Sequence, residues 1–296
     1  QYCNEQVVSE VKIIECPRDA MQGLSDFIPT STKADYINSL LQVGFDTIDF
    51  GSFVSPKAIP QLKDTAEVVE QLDLSATNTN LLSIVANVRG AEDACSFEQI
   101  DFLGYPHSIS PTFLQRNVNS NEQDSLHRVD EMLNLCDKAG KELVVYISMG
   151  FGNPYGDPWD TDIVEKATED LYKLGVRIIP LSDTTGVSTI AGIEDCFSRL
   201  VPKYPDIEFG FHLHTTYRDW YGQISAAFSN GCRRFDTVML GLGGCPMADD
   251  DDLTGNMKTV NLKDYCLEKG IDTGLDEVAF EAAFVKSLQV FHNYLA

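Results

Sequence analysis

The chain has 296 residues, of which 43% are hydrophobic and 10% are aromatic. That much apolar material can bury a large core, so we exclude an intrinsically disordered chain. Asp and Glu number 45 against 22 Lys and Arg, which gives a formal net charge of −23. Because such a protein repels nucleic acids and anionic lipid surfaces, we also exclude nucleic-acid binding.

No apolar stretch approaches the roughly 20 residues that a membrane-spanning helix needs, and the first residues show no secretory signal. Eight cysteines are scattered along the chain without CxxC pairs. In a chain with a large core, this spacing indicates reduced thiols and a cytoplasmic location, and it disfavours a disulfide framework or a structural zinc site. Since the first residue is Gln1 and not Met, the alternative of a removed organellar leader stays open.

Short β-branched runs alternate along the chain with longer segments of helical periodicity. We predict strands at residues 11–15, 47–50, 81–86, 99–103, 142–148, 176–181, 207–213 and 234–238. We predict helices at residues 33–42, 59–71, 91–97, 122–139, 162–174, 190–200, 221–229 and 276–294. Glycines that follow four of the predicted helices, at positions 44, 140, 175 and 231, mark the ends of those helices.

This alternation of eight strands with helices predicts an α/β fold, a (β/α)8 TIM barrel, which typically takes about 250 residues. We predict a single domain over residues 1–296, with the barrel at about 8–270 and a short helical C-terminal extension at about 271–296. A doubly wound open sheet is the rival architecture, although no GxGxxG or P-loop sequence follows the first predicted strand.

Reactive side chains collect where the predicted strands end, which is where the active site of a (β/α)8 barrel lies. In chain order these residues are Arg18, Asp19, Asp49, Asp183, Thr184, His212 and His214. A helix N-cap is the competing interpretation for Asp19 or Asp183 alone. For Arg18 the competing interpretation is a surface salt bridge, whereas at a barrel mouth an arginine suits a carboxylate or a developing enolate oxygen.

His212 and His214 form the sharpest chemical signal in the sequence. Side chains alternate along a strand, so both imidazoles point to the same face and can share a divalent cation. Asp19 would add an oxygen ligand, which favours Mg²⁺ or Mn²⁺ over structural zinc. Amidohydrolase barrels place HxH on their first strand and cupins place it in an all-β pattern, whereas this pair ends the seventh predicted strand.

Cys245 stands in the glycine-rich stretch GLGGCP at residues 241–246, which suits a mobile lid. A thiol with a pKa of about 8.5 can donate a proton to a carbanion at neutral pH, so Cys245 is a candidate general acid. The alternative is a small, buried hydrophobic residue, which is the usual fate of a free cysteine.

Taken together, these segments resemble the 3-hydroxy-3-methylglutaryl-CoA (HMG-CoA) lyase family of metal-dependent TIM-barrel enzymes. The resemblance spans nearly the whole chain, and it rests on residues 11–22, 52–57, 182–186, 212–214, 241–246 and 255–256. It implies a retro-Claisen cleavage of the C–C bond of HMG-CoA to acetoacetate and acetyl-CoA. It also implies an acyl-CoA substrate, a divalent metal cofactor (Mg²⁺ or Mn²⁺) and a homodimer.

The resemblance implies three sets of site residues. The metal ligands are Asp19, His212, His214 and Asn256. The catalytic residues are Arg18, which stabilises the enolate, Cys245, Asp49 and Asp183. The substrate-binding residues are Gln22, Thr184, Arg116 and Asn117, the last two in segment 113–119, which is similar to the family's substrate-contacting loop after the fourth strand.

The sequence departs from the family pattern at four positions near these segments. Asp49 replaces the family's Glu, Ala20 its Gly, Gly23 its Asn and Thr215 its Asp. None of the departures removes a proposed metal ligand. The acidic run at residues 249–252 is interpreted as solvated loop.

Three alternatives to HMG-CoA cleavage stay open. The first is a lyase for a related 3-hydroxyacyl-CoA. The second is a Claisen-condensing synthase of the isopropylmalate, citramalate or homocitrate type, which usually carries a long C-terminal regulatory region. The third is a degenerate barrel that serves as a binding module, which would require a broken set of metal ligands.

Overall fold

The computed structural model describes residues 10–243 and 254–294, and its central feature is a closed parallel barrel. The barrel strands are β1 Lys12–Glu15, β2 Thr47–Ser52, β3 Asn80–Ile84, β4 Phe102–Ser108, β5 Glu142–Ser148, β6 Ile178–Asp183, β7 Glu208–Thr215 and β8 Arg234–Thr237. Each strand pairs in parallel with the next, and β8 pairs with β1. The predicted (β/α)8 fold is therefore confirmed, and the open-sheet rival is wrong.

Helices connect the strands and cover the outside of the barrel. They are α1 Pro17–Gln22, α2 Thr30–Leu41, α3 Thr65–Val69, α4 Val88–Cys95, α5 Pro111–Val118, α6 Glu122–Ala139, α7 Thr161–Leu174, α8 Ile190–Lys203, α9 Trp220–Ser229, α10 Thr259–Lys269 and α11 Glu277–Phe291. Two short 3-10 helices span Pro60–Leu62 and His292–Tyr294. A two-residue strand, β9 Gly255–Asn256, pairs antiparallel with the end of β7. The predicted C-terminal helix is confirmed, since α11 packs against α2 beside the barrel.

Most predicted elements lie within a few residues of the observed ones, and β5 and α6 have the predicted bounds. The fourth strand was predicted at residues 99–103 and lies at Phe102–Ser108, because Gly104 and Pro106 interrupt its apolar pattern. The prediction of a single helix at 59–71 is also wrong. This segment contains the 3-10 helix Pro60–Leu62 and α3, and Asp64 between them forms an ion pair with Lys33.

The glycine signals for helix ends are confirmed by the backbone. Gly44, Gly140, Gly175 and Gly231 all have positive φ, between 67° and 112°. A side chain disfavours this left-handed conformation, so glycine ends each helix and redirects the chain into the next strand. The segment 113–119, predicted as a loop, lies largely in α5, whose last residue is Val118 and whose C-cap, Asn119, has a φ of 45°.

The core has two layers, one outside the strands and one within the barrel. Apolar side chains of the strands and helices form the outer layer, and β2 and β6 are buried along their whole length. Such continuous burial is expected where helices cover a parallel sheet. Leu82, Val144, Tyr146 and Ile178 form a separate cluster inside the barrel.

Gly90 makes the close approach between α4 and the end of the second strand possible. A Cβ at this position would lie 2.5 Å from the carbonyl oxygen of Phe53. We expect Gly90→Ala to lower the free energy of unfolding by about 1–3 kcal/mol, because backbone must move to relieve the overlap. Urea unfolding followed by circular dichroism measures this change.

Gly222 supplies a matched control for this prediction, because it is also the third residue of its helix. A Cβ there would meet only the flexible end of Ile190, at 3.2 Å. We expect Gly222→Ala to be neutral or to stabilise the protein by up to about 1 kcal/mol. Equal destabilisation by both substitutions would contradict the packing argument.

Candidate active site and metal centre

A cavity of about 330 Å³ opens at the carboxyl ends of the barrel strands. Seven of the residues predicted from the sequence line it, namely Arg18, Asp19, Gln22, Asn117, Thr184, His212 and His214. Apolar residues from β3, β4 and α5 form much of the remaining wall, among them Ile84, Pro106 and Phe113. The cavity thus combines a charged side with an apolar side, as small-molecule sites commonly do.

Asp19, His212 and His214 offer three ligand atoms that lie within 4.8 Å of one another. Asn256 joins this group, because its Nδ2 donates a hydrogen bond to Oδ2 of Asp19 at 2.9 Å. The pairing of His214 with Asn256 across β7 and β9 places the two residues side by side. Residues from α1 and from the strands β7 and β9 therefore meet in one place, as the sequence analysis expected.

Both histidines direct Nε2 toward this cluster because Nδ1 is already engaged. Nδ1 of His212 donates to Oδ2 of Asp236 at 2.8 Å, and Nδ1 of His214 donates to the carbonyl oxygen of Thr184 at 2.8 Å. A carbonyl can only accept, so Nε2 of His214 carries the lone pair that a metal needs. That Nε2 is buried and has no hydrogen-bond partner among the described residues, which fits a metal-binding position.

The electrostatics of the cluster favour a positive charge between its members. Burial opposes the charged form of Asp19, but Arg18 and the two histidines outweigh it and hold the pKa of this carboxyl well below its usual range. Burial likewise opposes a charge on His212, yet Asp19 and Asp236 raise the pKa of its imidazole to about 10. Two carboxylates that favour a cation on this imidazole would equally favour a bound divalent cation.

Arg18 is held rigidly at the rim of the cluster and is buried, so the surface salt-bridge interpretation is wrong. Its Nε and Nη2 donate to the carboxylate of Asp49, the latter at 2.6 Å, and Nη1 donates to Oε1 of Gln22 at 2.8 Å. Asp49 thereby orients the guanidinium. Burial raises the pKa of Asp49 to about 6, against the attraction of Arg18.

The remaining predicted residues occupy three different surroundings. Asn117 and Arg116 are consecutive residues of α5 and line different cavities. Asn117 lines the cavity at the strand ends, whereas Arg116 lines a neighbouring cavity of about 810 Å³ and stacks on Tyr155 at 5.0 Å. Asp183 is buried, and its carboxylate accepts the backbone amides of Val187 and Ser188. Cys245 and the acidic run at 249–252 lie outside the described residues.

The N-cap interpretations of the two aspartates are wrong. Asp19 lies inside the first turn of α1, whose N-cap is Cys16. Asp183 ends β6 and is well separated from α8, whose N-cap is Thr189. The carboxylate of Asp183 instead braces the loop that carries Thr184, and the carbonyl oxygen of Thr184 in turn accepts Nδ1 of His214.

Sequence reasoning missed three buried polar residues close to the cluster, namely Asp236, Tyr146 and Glu15. Asp236 orients His212, and the ring of Tyr146 meets that imidazole edge-on at a centroid distance of 6.1 Å. A carboxylate in the middle of a predicted barrel strand is the signal that could have revealed Asp236, because a buried charge needs a partner.

Glu15 is fully buried and joins three parts of the chain. Its Oε1 accepts the backbone amide of Met239 at 2.6 Å, and its Oε2 accepts the hydroxyls of Thr259 at 2.6 Å and Thr237 at 3.1 Å. Burial raises the pKa of this carboxyl to about 7, although the three hydrogen bonds oppose the shift. Glu15 therefore ties β1 to β8 and to the start of α10, three residues beyond Asn256.

Fold and site together define the protein as a (β/α)8-barrel enzyme with a candidate metal centre of one carboxylate and two imidazoles at the carboxyl ends of its strands. The sequence model of the HMGL-like family matches residues 10–283. The chain belongs to this family, as its sequence pattern suggested.

Individual relatives agree with this assignment. The chain is 32% identical over 270 residues to hydroxymethylglutaryl-CoA lyase, mitochondrial, of Bos taurus, an alignment that covers 90% of this chain and 81% of the relative. It is 30% identical over 269 residues to 3-hydroxy-3-methylglutaryl-CoA lyase, cytoplasmic, of Danio rerio, covering 90% and 78%.

A solved structure gives the same result in three dimensions. The HMG-CoA lyase of Acinetobacter baumannii, in complex with coenzyme A and 3-methylmalate, superposes with a TM-score of 0.86 at 29% identity. The superposition covers 95% of this chain and 91% of that chain. In the part of this chain that the structure describes, no helix is both long and apolar enough to cross a membrane.

The raised pKa of Glu15 predicts a pH-dependent stability. The pKa of Glu15 is about 7 in the folded chain and 4.5 ordinarily. As the pH rises from 4.5 to 7, the unfolded chain therefore loses this proton before the folded chain does. Stability contributed by the protonated carboxyl is present below pH 4.5 and is lost as the pH rises through 7. We expect Glu15→Gln to be less destabilising, relative to wild type, at pH 8 than at pH 5.

Urea unfolding at several pH values measures this difference in the free energy of unfolding. The exposed Glu70→Gln variant corrects for the loss of one carboxylate from a strongly acidic chain. A difference between wild type and Glu15→Gln that is the same at every pH would show that Glu15 titrates alike in both states.

Proposed function

We propose that this chain is a divalent-metal-dependent carbon–carbon lyase that cleaves HMG-CoA to acetoacetate and acetyl-CoA. The observation that carries the proposal is the placement of Arg18 beside the cluster of Asp19, His212 and His214 in one cavity. Membership of the HMGL-like family and the curated lyase relatives support the same reaction.

The reaction requires two proton transfers, one before and one after the cleavage of a C–C bond. The tertiary hydroxyl of the substrate loses its proton, and the neighbouring C–C bond breaks to release acetoacetate. The electron pair of that bond passes to the carbon next to the thioester and forms the enolate of acetyl-CoA. A proton delivered to this carbon completes acetyl-CoA.

Arg18 is the group of this chain best suited to stabilise the enolate. Its guanidinium is permanently charged, lines the cavity and is held in place by Asp49 and Gln22. A preorganised cation beside developing negative charge lowers a barrier without a reorganisation cost. A divalent cation held by Asp19, His212, His214 and Asn256 would supply Lewis-acid activation of the substrate's oxygens.

The proton transfers are assigned by chemistry and by the resemblance. Cys245 is proposed as the general acid that returns a proton to the enolate carbon, because a thiol of ordinary pKa can do so at neutral pH. Asp49 is proposed to act on the reaction mainly through Arg18, since both of its oxygens accept that guanidinium. Asp183 is proposed to act through the loop that positions Thr184.

Substrate contacts are proposed on both sides of α5. Gln22, Thr184 and Asn117 line the catalytic cavity, where they can meet the acyl group or the thioester. Arg116 faces the neighbouring cavity, so we propose that it meets the CoA portion and not the acyl portion. A strongly acidic chain needs such local cations to bind a substrate that carries phosphates.

The identity of the metal, the oligomeric state and the location are proposed from the chemistry of the ligand atoms, from the resemblance and from the state of the cysteines. The metal is Mg²⁺ or Mn²⁺, because a carboxylate and an amide oxygen accompany the imidazoles. The chain forms one domain over 1–296 and acts as a homodimer, as the resemblance implies. A cytoplasmic location is supported by the free state of all six cysteines in the described residues.

Product analysis tests the proposed reaction. We expect the purified chain with Mn²⁺ or Mg²⁺ to convert HMG-CoA to equal amounts of acetoacetate and acetyl-CoA. Removal of divalent cations by EDTA should abolish the conversion, and added Mn²⁺ should restore it, because the cation activates the substrate. Chromatography of the CoA esters and an enzymatic assay of acetoacetate measure both products.

Other outcomes of the same assay separate the alternatives. Cleavage of other 3-hydroxyacyl-CoA thioesters, with none of HMG-CoA, would replace the proposal with a related lyase. Condensation of acetyl-CoA with a 2-oxo acid would indicate a Claisen synthase. Catalysis that survives EDTA would contradict the metal-dependent mechanism.

Arg18→Met tests the role assigned to the guanidinium. We expect kcat to fall by about 10²–10³-fold with a smaller change in KM, because the lost charge acts mainly on the transition state. Arg177→Met is the matched control, since Arg177 lies at the opposite, amino-terminal mouth of the barrel. A loss of kcat in Arg18→Met no larger than in the control would remove Arg18 from the mechanism.

A further inference from the structure

Two charged side chains of β8 point into the barrel below the cluster of Asp19, His212 and His214. Arg234 is 1% exposed and Asp236 is 3% exposed. They are two residues apart on one strand, so their side chains face the same way. In the register with β7, Asp236 lies opposite His212 and Arg234 lies opposite Gly210.

Glycines make room for large side chains at this level of the barrel. A Cβ at Gly210 would lie 3.1 Å from Cδ of Arg234, so the arginine stem lies directly across this residue. In the same way, a Cβ at Gly104 would lie 3.1 Å from Cε2 of Tyr146. Arg234 and Tyr146 therefore enter space that branched aliphatic residues fill in most barrels of this type.

The polar atoms of these residues are only partly satisfied. Nη1 of Arg234 donates to Oε1 of Glu208 at 2.9 Å. Nε and Nη2 of Arg234, Oη of Tyr146 and Oδ1 of Asp236 are buried without a hydrogen-bond partner among the described residues. A buried polar group left unpaired is destabilising, so four such atoms call for a shared partner.

The chemistry of the four atoms specifies that partner. Two are guanidinium donors, one is a hydroxyl and one is a carboxylate oxygen that can only accept. Water both donates and accepts, so it satisfies all of them, whereas an anion would be repelled by Asp236 and Glu208. Burial opposes the charge on Arg234, but Asp236 and Glu208 outweigh it and raise the pKa of the guanidinium above its ordinary value.

We propose that Arg234, together with Tyr146, is a positioning residue for the metal centre. The two side chains hold internal water against Oδ1 of Asp236, whose Oδ2 accepts Nδ1 of His212. Fixing this carboxylate fixes the ring of His212 and directs its Nε2 to the cluster. The inference rests on the proposed function only through the assignment of His212 as a metal ligand.

Mn²⁺ affinity tests this inference without any substrate. Metal-free wild type, Arg234→Met, Arg234→Lys and Tyr146→Phe are titrated with Mn²⁺ and followed by electron paramagnetic resonance, and Tm is measured for each metal-free protein. We expect Arg234→Met to weaken Mn²⁺ binding by about tenfold, the scale found for groups that orient metal ligands. Arg234→Lys keeps a charged donor and should restore part of the affinity, and Tyr146→Phe should weaken binding less than Arg234→Met.

Arg233→Met is the matched control, because Arg233 is the exposed neighbour of Arg234 and should leave Mn²⁺ affinity unchanged. A lower Tm of Arg234→Met with wild-type Mn²⁺ affinity would overturn the inference, since it would show a purely structural role. If Arg234→Met fails to fold, Arg234→Lys and Tyr146→Phe decide in the same way. A wild type that binds no Mn²⁺ would overturn the proposed metal centre and this inference together.

Discussion

The carboxylate of Asp19 is the point on which the candidate active site depends. It receives hydrogen bonds from Arg18 and from Asn256, although Asn256 is 237 positions away in the sequence. It also lies 3.5 Å from Nε2 of His212. Closure of the barrel brings these groups together, so the charges of the site are balanced only when β1 lies next to β8 and β7 next to β9.

That balance explains why so many charged groups tolerate burial. Charges removed from water are costly unless each finds a partner of opposite sign with good geometry. Here Arg18 is shared between Asp19 and Asp49, and His212 lies between Asp19 and Asp236. The three carboxylates carry more negative charge than Arg18 and His212 neutralise, and a cation-binding site needs this excess.

The sequence was sufficient for the architecture and for the residues at the strand ends, because strand periodicity and glycine helix ends are local signals. It was weaker at β4, where Gly104 and Pro106 break the apolar pattern, and at α5, whose eight residues resemble a loop. Asp236 and Glu15 were missed because their partners come from distant parts of the sequence. Only the closed barrel shows that Asp236 meets His212 and that Glu15 meets Thr259.

The antiparallel pairing of β9 with β7 has a consequence for how the site tolerates change. Asn256 is positioned by its register opposite His214 and by its hydrogen bond to Asp19. Its location is therefore set by neighbours across the sheet and not by the stretch of chain that leads to it. Additional residues inserted between positions 243 and 254 would lengthen that stretch without changing the register that places Asn256 beside His214 and Asp19.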